Sequence, residues 1–198
     1  MRDGWLWPVT DFACWDWLQK EKDLPDKIFK TCNNNRVVVQ AGGNCGFYVK
    51  RYAELFDRVY TFEPDPQNFF CLSQNVENGN VIKFQACLGD THQLVGLTHK
   101  KANVGVGRVE GQGIFPTLKI DDLNLEVCDL IHLDVEGFEL FAINGAIETL
   151  NRCSPVIALE WLDHNQHYNV TAEKLLQTLN DHGYKEVAQI YHEKIFSK

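Results

Sequence analysis

A chain of 198 residues is long enough to bury one sizeable core and too short for two ordinary domains joined by a linker. Its 19 Lys and Arg against 27 Asp and Glu give a net charge of −8, so the long-range field that gathers phosphate backbone is missing and nucleic acid is disfavoured as a partner. With 44% apolar and 23% charged residues, the composition excludes intrinsic disorder, and no apolar run is long enough to span a membrane.

Residues 1–35 carry Trp5, Trp7, Trp15 and Trp17 and precede any regular alternation. They read as a Trp-rich arm, either an apolar helix or loop packed on the flank of the main domain, or a lid and substrate wall. The first eight residues lack the basic and apolar regions of a signal peptide, so a cytoplasmic location is expected. The domain proper, 36–198, opens on a β-branched run through Val37, Val38 and Val39 that feeds a glycine-rich turn. Tyr48, Tyr52, Leu55 and Phe56 then recur at helical spacing, and residues 59–63 form a second strand. Pro66 suits the first turn of the next helix, which stops near Asn78-Gly79-Asn80. A third strand follows at 81–86.

From 89 to 116, Gly96, Gly105, Gly107, Gly111 and Gly113 interrupt any helix and favour a hairpin or a loop. A short strand at 117–120 and a helical turn at 121–123 come next. The run Asp129-Leu130-Ile131-His132-Leu133-Asp134 reads as a central strand ending on an acid, with Gly137 marking the turn into a helix over 138–150. Residues 156–162 form another strand, ending beside Glu160. A helix over 171–182 and a strand, turn and strand over 184–196 complete the chain. This order predicts an α/β fold, a Rossmann-like doubly wound and mostly parallel sheet with an antiparallel C-terminal strand pair. The seven cysteines are scattered, without a C-x-x-C pair, and read as reduced, mostly buried thiols.

The first strand ends in Gln40-Ala41-Gly42-Gly43-Asn44-Cys45-Gly46. Glycines there let the chain turn sharply and bring backbone N–H groups against a ligand. Glu63 lies 21 residues beyond Gly42, at the end of the second strand, where a carboxylate can accept both hydroxyls of a ribose. Glu63-Pro64-Asp65-Pro66 strengthens that reading. Neither a P-loop nor G-x-G-x-x-G occurs. S-adenosylmethionine, which has no phosphate and carries a sulfonium cation, suits the acidic surroundings better than a dinucleotide.

Four segments in order carry a resemblance: residues 40–46, Phe62-Glu63-Pro64-Asp65-Pro66-Gln67-Asn68, residues 118–123, and 129–139 followed by Asn144-Gly145-Ala146 and 155–160. Together they resemble the FkbM family of class I methyltransferases. The resemblance implies S-adenosylmethionine as cofactor and methylation of a hydroxyl on a small molecule or sugar. N-methylation, methylation of a nucleic-acid end, or an inactive cofactor-binding module are the alternatives. It also implies that Gly42, Gly43, Asn44 and Gly46 lie by the methionine part of the cofactor, Glu63 and Pro64 by the ribose, and Ala86, Cys87 and Asp90 by the adenine. Two departures stand out. Gln40 replaces an acid and supplies no charge, although it can hydrogen-bond the methionine amino group. His132 replaces a Lys, reading either as a titrating imidazole or as a core histidine.

Asp134 and Glu136 come at the carboxyl end of their strand, where a carboxylate can orient or deprotonate an acceptor hydroxyl, and Asp134 borders the cofactor too. His164, in a loop beside Asp163 and His167, is a candidate base or substrate contact. Asp134, Glu136 and Glu160 could converge on Mg²⁺, but a divalent metal is possible rather than favoured, and no metal ligand is assigned. The cluster His99-Lys100-Lys101 with Arg108 reads as a solvated face, or as recognition of an anionic acceptor. The expected partner is a small-molecule or carbohydrate acceptor. The sequence leaves the oligomeric state open.

Overall fold

A computed structural model describes residues 1–100, 103–161 and 167–198. Two short helices, α1 (Cys14–Lys20) and α2 (Leu24–Phe29), precede the alternating part. That part runs β1 (Val37–Ala41), α3 (Phe47–Leu55), β2 (Arg58–Phe62), α4 (Pro66–Asn75), β3 (Val81–Phe84), β4 (Cys87–Leu88), β5 (Leu94–Lys100) and β6 (Asn103–Leu118). A 3-10 turn at Ile120–Leu123 leads to β7 (Leu130–Leu133), α5 (Glu139–Asn144), α6 (Ile147–Cys153), β8 (Val156–Glu160), α7 (Ala172–Asp181), β9 (Lys185–Ile190) and β10 (Glu193–Ser197).

Every residue of β1 and β7 is buried, which is why their sequences are continuous rather than alternating apolar runs. They sit in the middle of a seven-stranded sheet of order β3-β2-β1-β7-β8-β10-β9. The first five are parallel, and β10 runs antiparallel to both β8 and β9, as the C-terminal pattern predicts. Strand order reverses between β1 and β7, so the crevice beyond their carboxyl ends is where such a sheet receives a ligand. One face buries Val37, Val39, Ile131, Leu133, Ile157 and Leu159 beneath α5, α6 and α7; the other buries Val38, Val59, Leu130 and Ala158 beneath α1 to α4.

Local chemistry sets the helix ends. Asp65 accepts from the backbone N–H groups of Gln67 and Asn68, with Pro66 in the first turn of α4, and Thr171 accepts from Lys174 N at the start of α7. The helix expected over 138–150 is instead two, α5 and α6, broken at Gly145. A Cβ there would lie 2.0 Å from the carbonyl oxygen of Gly89, so the break lets another backbone segment pass. Asp121 then caps the new helix, its carboxylate accepting from Glu148 N, Thr149 N and Thr149 Oγ1.

The glycine-rich stretch forms an antiparallel hairpin, β5 with β6, whose register shifts at several points. The N-terminal arm is held by Asp11, which is fully buried. Its carboxylate accepts from Trp7 Nε1 at 2.8 Å, Cys14 N at 3.0 Å and Trp15 N at 3.0 Å. It also accepts from Val104 N of β6 at 3.4 Å. Trp7 and Trp15 pack edge to face, 5.0 Å between ring centroids, in the core. All seven cysteines are free thiols.

Candidate active site

A cavity of about 250 Å³ opens at the carboxyl ends of β1, β2, β7 and β8. Its floor is the turn after β1. Gly42 N and Gly43 N both donate to Phe62 O of β2, at 3.1 and 2.9 Å, which pulls the turn down against the sheet. Glu63 follows directly on β2 and is 6% exposed. Its Oε2 accepts from Asn44 N at 2.7 Å and its Oε1 from Asp65 N at 2.9 Å, so the carboxylate is fixed at the cavity wall. Burial raises its pKa to about 7 against those two hydrogen bonds, which lower it. Phe62, Pro64, Ala86, Cys87 and Leu88 surround it with apolar surface, and Leu97, Val106 and Val109 of the hairpin close the top.

The opposite half is acidic. Leu133 pairs with Ala41 on one side and Leu159 on the other, and Glu160 pairs with Glu193. Gly42, Asp134, Glu160 and Glu193 therefore stand in one row across four adjacent strands. Like charges directly opposite one another are unfavourable in a sheet. The cavity draws them together nonetheless: carboxylate oxygens of Asp134, Glu136 and Glu160 lie within 4.8 Å of one another. Burial, then the neighbouring acids Glu136 and Glu193, pushes Glu160 up to about 9. Asp134 is raised well above the carboxylate range by burial, with Glu160 and Glu193 adding to it, and the two side chains share a hydrogen bond. The pair thus holds a proton between its members. Glu136 adopts a left-handed φ of 57°, a conformation costing a non-glycine residue about 1–2 kcal/mol. Strain of this kind concentrates at functional turns.

The side chains singled out from sequence are distributed as follows. Gly42, Gly43, Asn44, Glu63, Pro64, Ala86, Cys87, Asp134 and Glu136 all line the cavity. Gln40 and Gly46 are not among the lining residues. Gln40 is buried beneath the floor, where its Oε1 accepts from Thr61 Oγ1 at 2.7 Å, and Gly46 starts α3. Asp90 does not line the cavity either, and His164 lies outside the described residues. His132 is fully buried, with Nδ1 2.9 Å from Tyr52 Oη and Nε2 3.6 Å from Glu193 Oε2. Burial lowers its pKa to about 4, so the imidazole is neutral near pH 7 and supplies no fixed cation. Arg108 approaches Glu136 at 3.8 Å and contacts His167.

Sequence reasoning missed Glu193, Glu21 and Tyr48. Glu193 reaches the cavity because the antiparallel register of β10 on β8 sets it beside Glu160. Glu21 reaches it because α1 of the arm ends there, with Trp17 and Leu18 also on the wall. No lysine or arginine belongs to the lining among the described residues.

These buried and half-buried acids make stability fall with rising pH. Glu63, Asp134, Glu160 and Glu193 hold their protons to higher pH in the folded chain than in the unfolded one. Between the ordinary carboxylate value of 4.5 and about 9 the native state therefore binds more protons, and raising pH favours unfolding. His132 acts the other way, between about 4 and 6.5, and is outnumbered. The thermal midpoint of the ligand-free chain is expected to drop from pH 5.5 to pH 9, and to drop less in Glu193→Gln. A midpoint that climbs over that window contradicts the burial of this cluster.

The switch-point cavity, the strand order and the antiparallel C-terminal pair define a class I methyltransferase fold. The Methyltransferase FkbM domain profile matches residues 37–186, and the chain belongs to the FkbM methyltransferase family. Solved structures agree on the fold. Precorrin-6y C5,15-methyltransferase from Geobacter metallireducens GS-15 is similar over 98% of this chain and 92% of its own, with a TM-score of 0.57 and 15% identity. Methyltransferase FkbM from Methylobacillus flagellatus KT gives a TM-score of 0.55 at 16% identity, over 83% of this chain and 44% of its own, so the chain spans less than half the length of that relative. Magnesium protoporphyrin IX methyltransferase from Synechocystis PCC 6803, solved with bound SAM, gives 0.52 at 11% identity over 91% and 80%. No curated protein matches the sequence. Among the described residues no helix is long and apolar enough to cross a membrane.

Proposed function

We propose that the chain transfers a methyl group from S-adenosylmethionine to a hydroxyl of a small molecule or sugar. The observation that carries this reading is the acidity of the cavity: seven acids line it, Glu21, Glu63, Asp65, Asp134, Glu136, Glu160 and Glu193, and, among the described residues, no lysine or arginine. Such a wall repels phosphate and suits a cofactor bearing a sulfonium and an ammonium. Glu63 would accept the ribose hydroxyls, with Pro64 beside them. Phe62, Ala86, Cys87 and Leu88 would flank the adenine, and Gly42, Gly43 and Asn44 would lie by the methionine part. When bound, the cofactor supplies an activated methyl group to an in-line displacement.

The remaining work belongs to the chain. Asp134 adjoins Gly42 in the row and so faces the reacting end. The Asp134–Glu160 pair, with one proton between two carboxyls, can take the acceptor's hydroxyl proton as the new bond forms, and its raised pKa makes it a stronger base than a free carboxylate. The hairpin and the arm exclude water, and alignment in a dry pocket supplies much of the rate. Asp134, Glu136 and Glu160 are the residues that would hold a divalent ion, which would act on the acceptor oxygen, not on the electrophile.

Calorimetric titration with S-adenosylmethionine and S-adenosylhomocysteine tests the cofactor, and transfer of labelled methyl to hydroxyl-bearing acceptors tests the reaction. Absence of binding at millimolar cofactor removes the reading. Glu63→Gln is expected to weaken binding about ten- to a hundredfold, the worth of hydrogen bonds to a charged group. In the native chain affinity should rise with pH through about 7, because hydroxyl donors favour the ionised carboxylate. Glu63→Gln should flatten that profile.

A further inference from the structure

Glu193 has no part in the chemistry above, yet it is the most unusual acid in the cavity. Its side chain is 5% exposed, it belongs to the cavity lining, and its Oε2 is buried without a hydrogen-bond partner. His132 Nε2 stands 3.6 Å away, beyond hydrogen-bond distance and on an imidazole that is neutral. In the ligand-free chain burial keeps the proton on Glu193; a cationic ligand would let it ionise, releasing that proton to solvent, by supplying the counter-charge a buried carboxylate otherwise lacks.

On the cofactor placement proposed above, by Gly42, Gly43, Asn44 and Glu63, Glu193 stands apart from the cofactor. Glu193 lies on β10, three strands from β1 in the sheet, a lateral distance of about 14 Å at the usual strand spacing. The group that meets Glu193 therefore belongs to the acceptor. Its surroundings restrict what that group is. Glu160 of β8 is its cross-strand neighbour, and burial, then Glu139 of α5 and Glu21 of the arm, raise its pKa, so carboxylates approach from three elements. Tyr48 and the stacked pair Trp17 and His192, 5.2 Å apart, complete the same end of the cavity. Ionised carboxylates only accept hydrogen bonds. A hydroxyl offers one donor, whereas an ammonium offers three and is also attracted to aromatic faces.

We propose that the acceptor carries a protonated amine, received by Glu193 together with Glu21, and that this contact presents a neighbouring hydroxyl to Asp134. The proposal rests on the methyl-transfer reading and names its acceptor as an amino alcohol or amino sugar. Glu193 is a specificity-determining residue in this scheme and lies outside the reacting atoms.

The test uses the full chain, with and without S-adenosylhomocysteine, and compares n-butylammonium with 1-butanol at matched ionic strength by NMR titration. The ammonium is expected to bind about tenfold or more tightly than the alcohol, the preference that a charge-assisted hydrogen bond confers. Glu193→Gln should remove that preference, whereas Glu63→Gln, in the other half of the cavity, should keep it. Glu193→Asp should keep part of it, and Glu21→Gln, at a less buried position, should reduce it in a chain that still folds. Equal affinity for the two probes, no ammonium binding at about 100 mM, or a preference that survives in Glu193→Gln overturns the proposal. So does displacement of the ammonium by magnesium chloride at low millimolar concentration, which assigns the acids to a metal. Failure of S-adenosylhomocysteine alone to bind counts against the methyl-transfer reading, since the ammonium titration stands without it.

Discussion

Asp134→Asn is expected to slow methyl transfer by about 10²–10⁴-fold, the usual worth of a positioned general base, while cofactor affinity stays close to that of the native chain. The amide keeps the shape of the carboxyl but cannot take a proton. Single-turnover transfer measured against pH separates this role from a structural one. The native rate should fall as the shared proton is joined by a second on acidification, and the variant should lose that limb. A variant of native rate removes Asp134 from the reaction. One that neither binds cofactor nor turns over marks it as part of the cofactor site instead.

Gly42→Ala should destabilise the fold by about 3 kcal/mol or more, which places it among the most damaging single substitutions available to the chain. The residue has φ +83°, and a Cβ there would lie 2.0 Å from the backbone oxygen of Asp134. Neither atom belongs to a flexible side chain, so relief requires β1 and β7 to separate at the point where the two halves of the cavity meet. Urea denaturation monitored by circular dichroism gives the magnitude. A loss below about 1 kcal/mol means the turn adopts a different path.

Much of the frame was legible because it follows from short-range chemistry. Continuous apolar runs identify β1 and β7 as buried on both sides, Pro66 and Thr171 start their helices where capping rules put them, and the C-terminal hairpin follows its apolar alternation. Gly42 to Asn44, Glu63, Asp134 and Glu136 are found in one cavity because strand ends collect there by topology. The rest depended on information that no local pattern holds. Gln40 is within a strand rather than beyond its end, so its side chain points under α3 and meets Thr61. The break between α5 and α6 answers to Gly89, far away in sequence. Glu193 enters the site through the register of β10 on β8, and a shift of one residue would have turned it to the other face. The carboxylates of the arm needed a helix end placed in three dimensions.

Asp11 has a consequence for traffic through the cavity. One carboxylate holds both the helix that ends over the acid half and, through Val104, the hairpin that closes the nucleoside half. The hairpin has further ties of its own, to Asn68 and Tyr168, and the arm is tied to Asn75, but Asp11 is the point at which the two covers meet, so movement of one is felt by the other. Loading of methyl donor and departure of methylated product would then be coupled in time, and a weakened fastening at position 11 would be felt first as leakage of water onto the reacting centre rather than as loss of any contact with it.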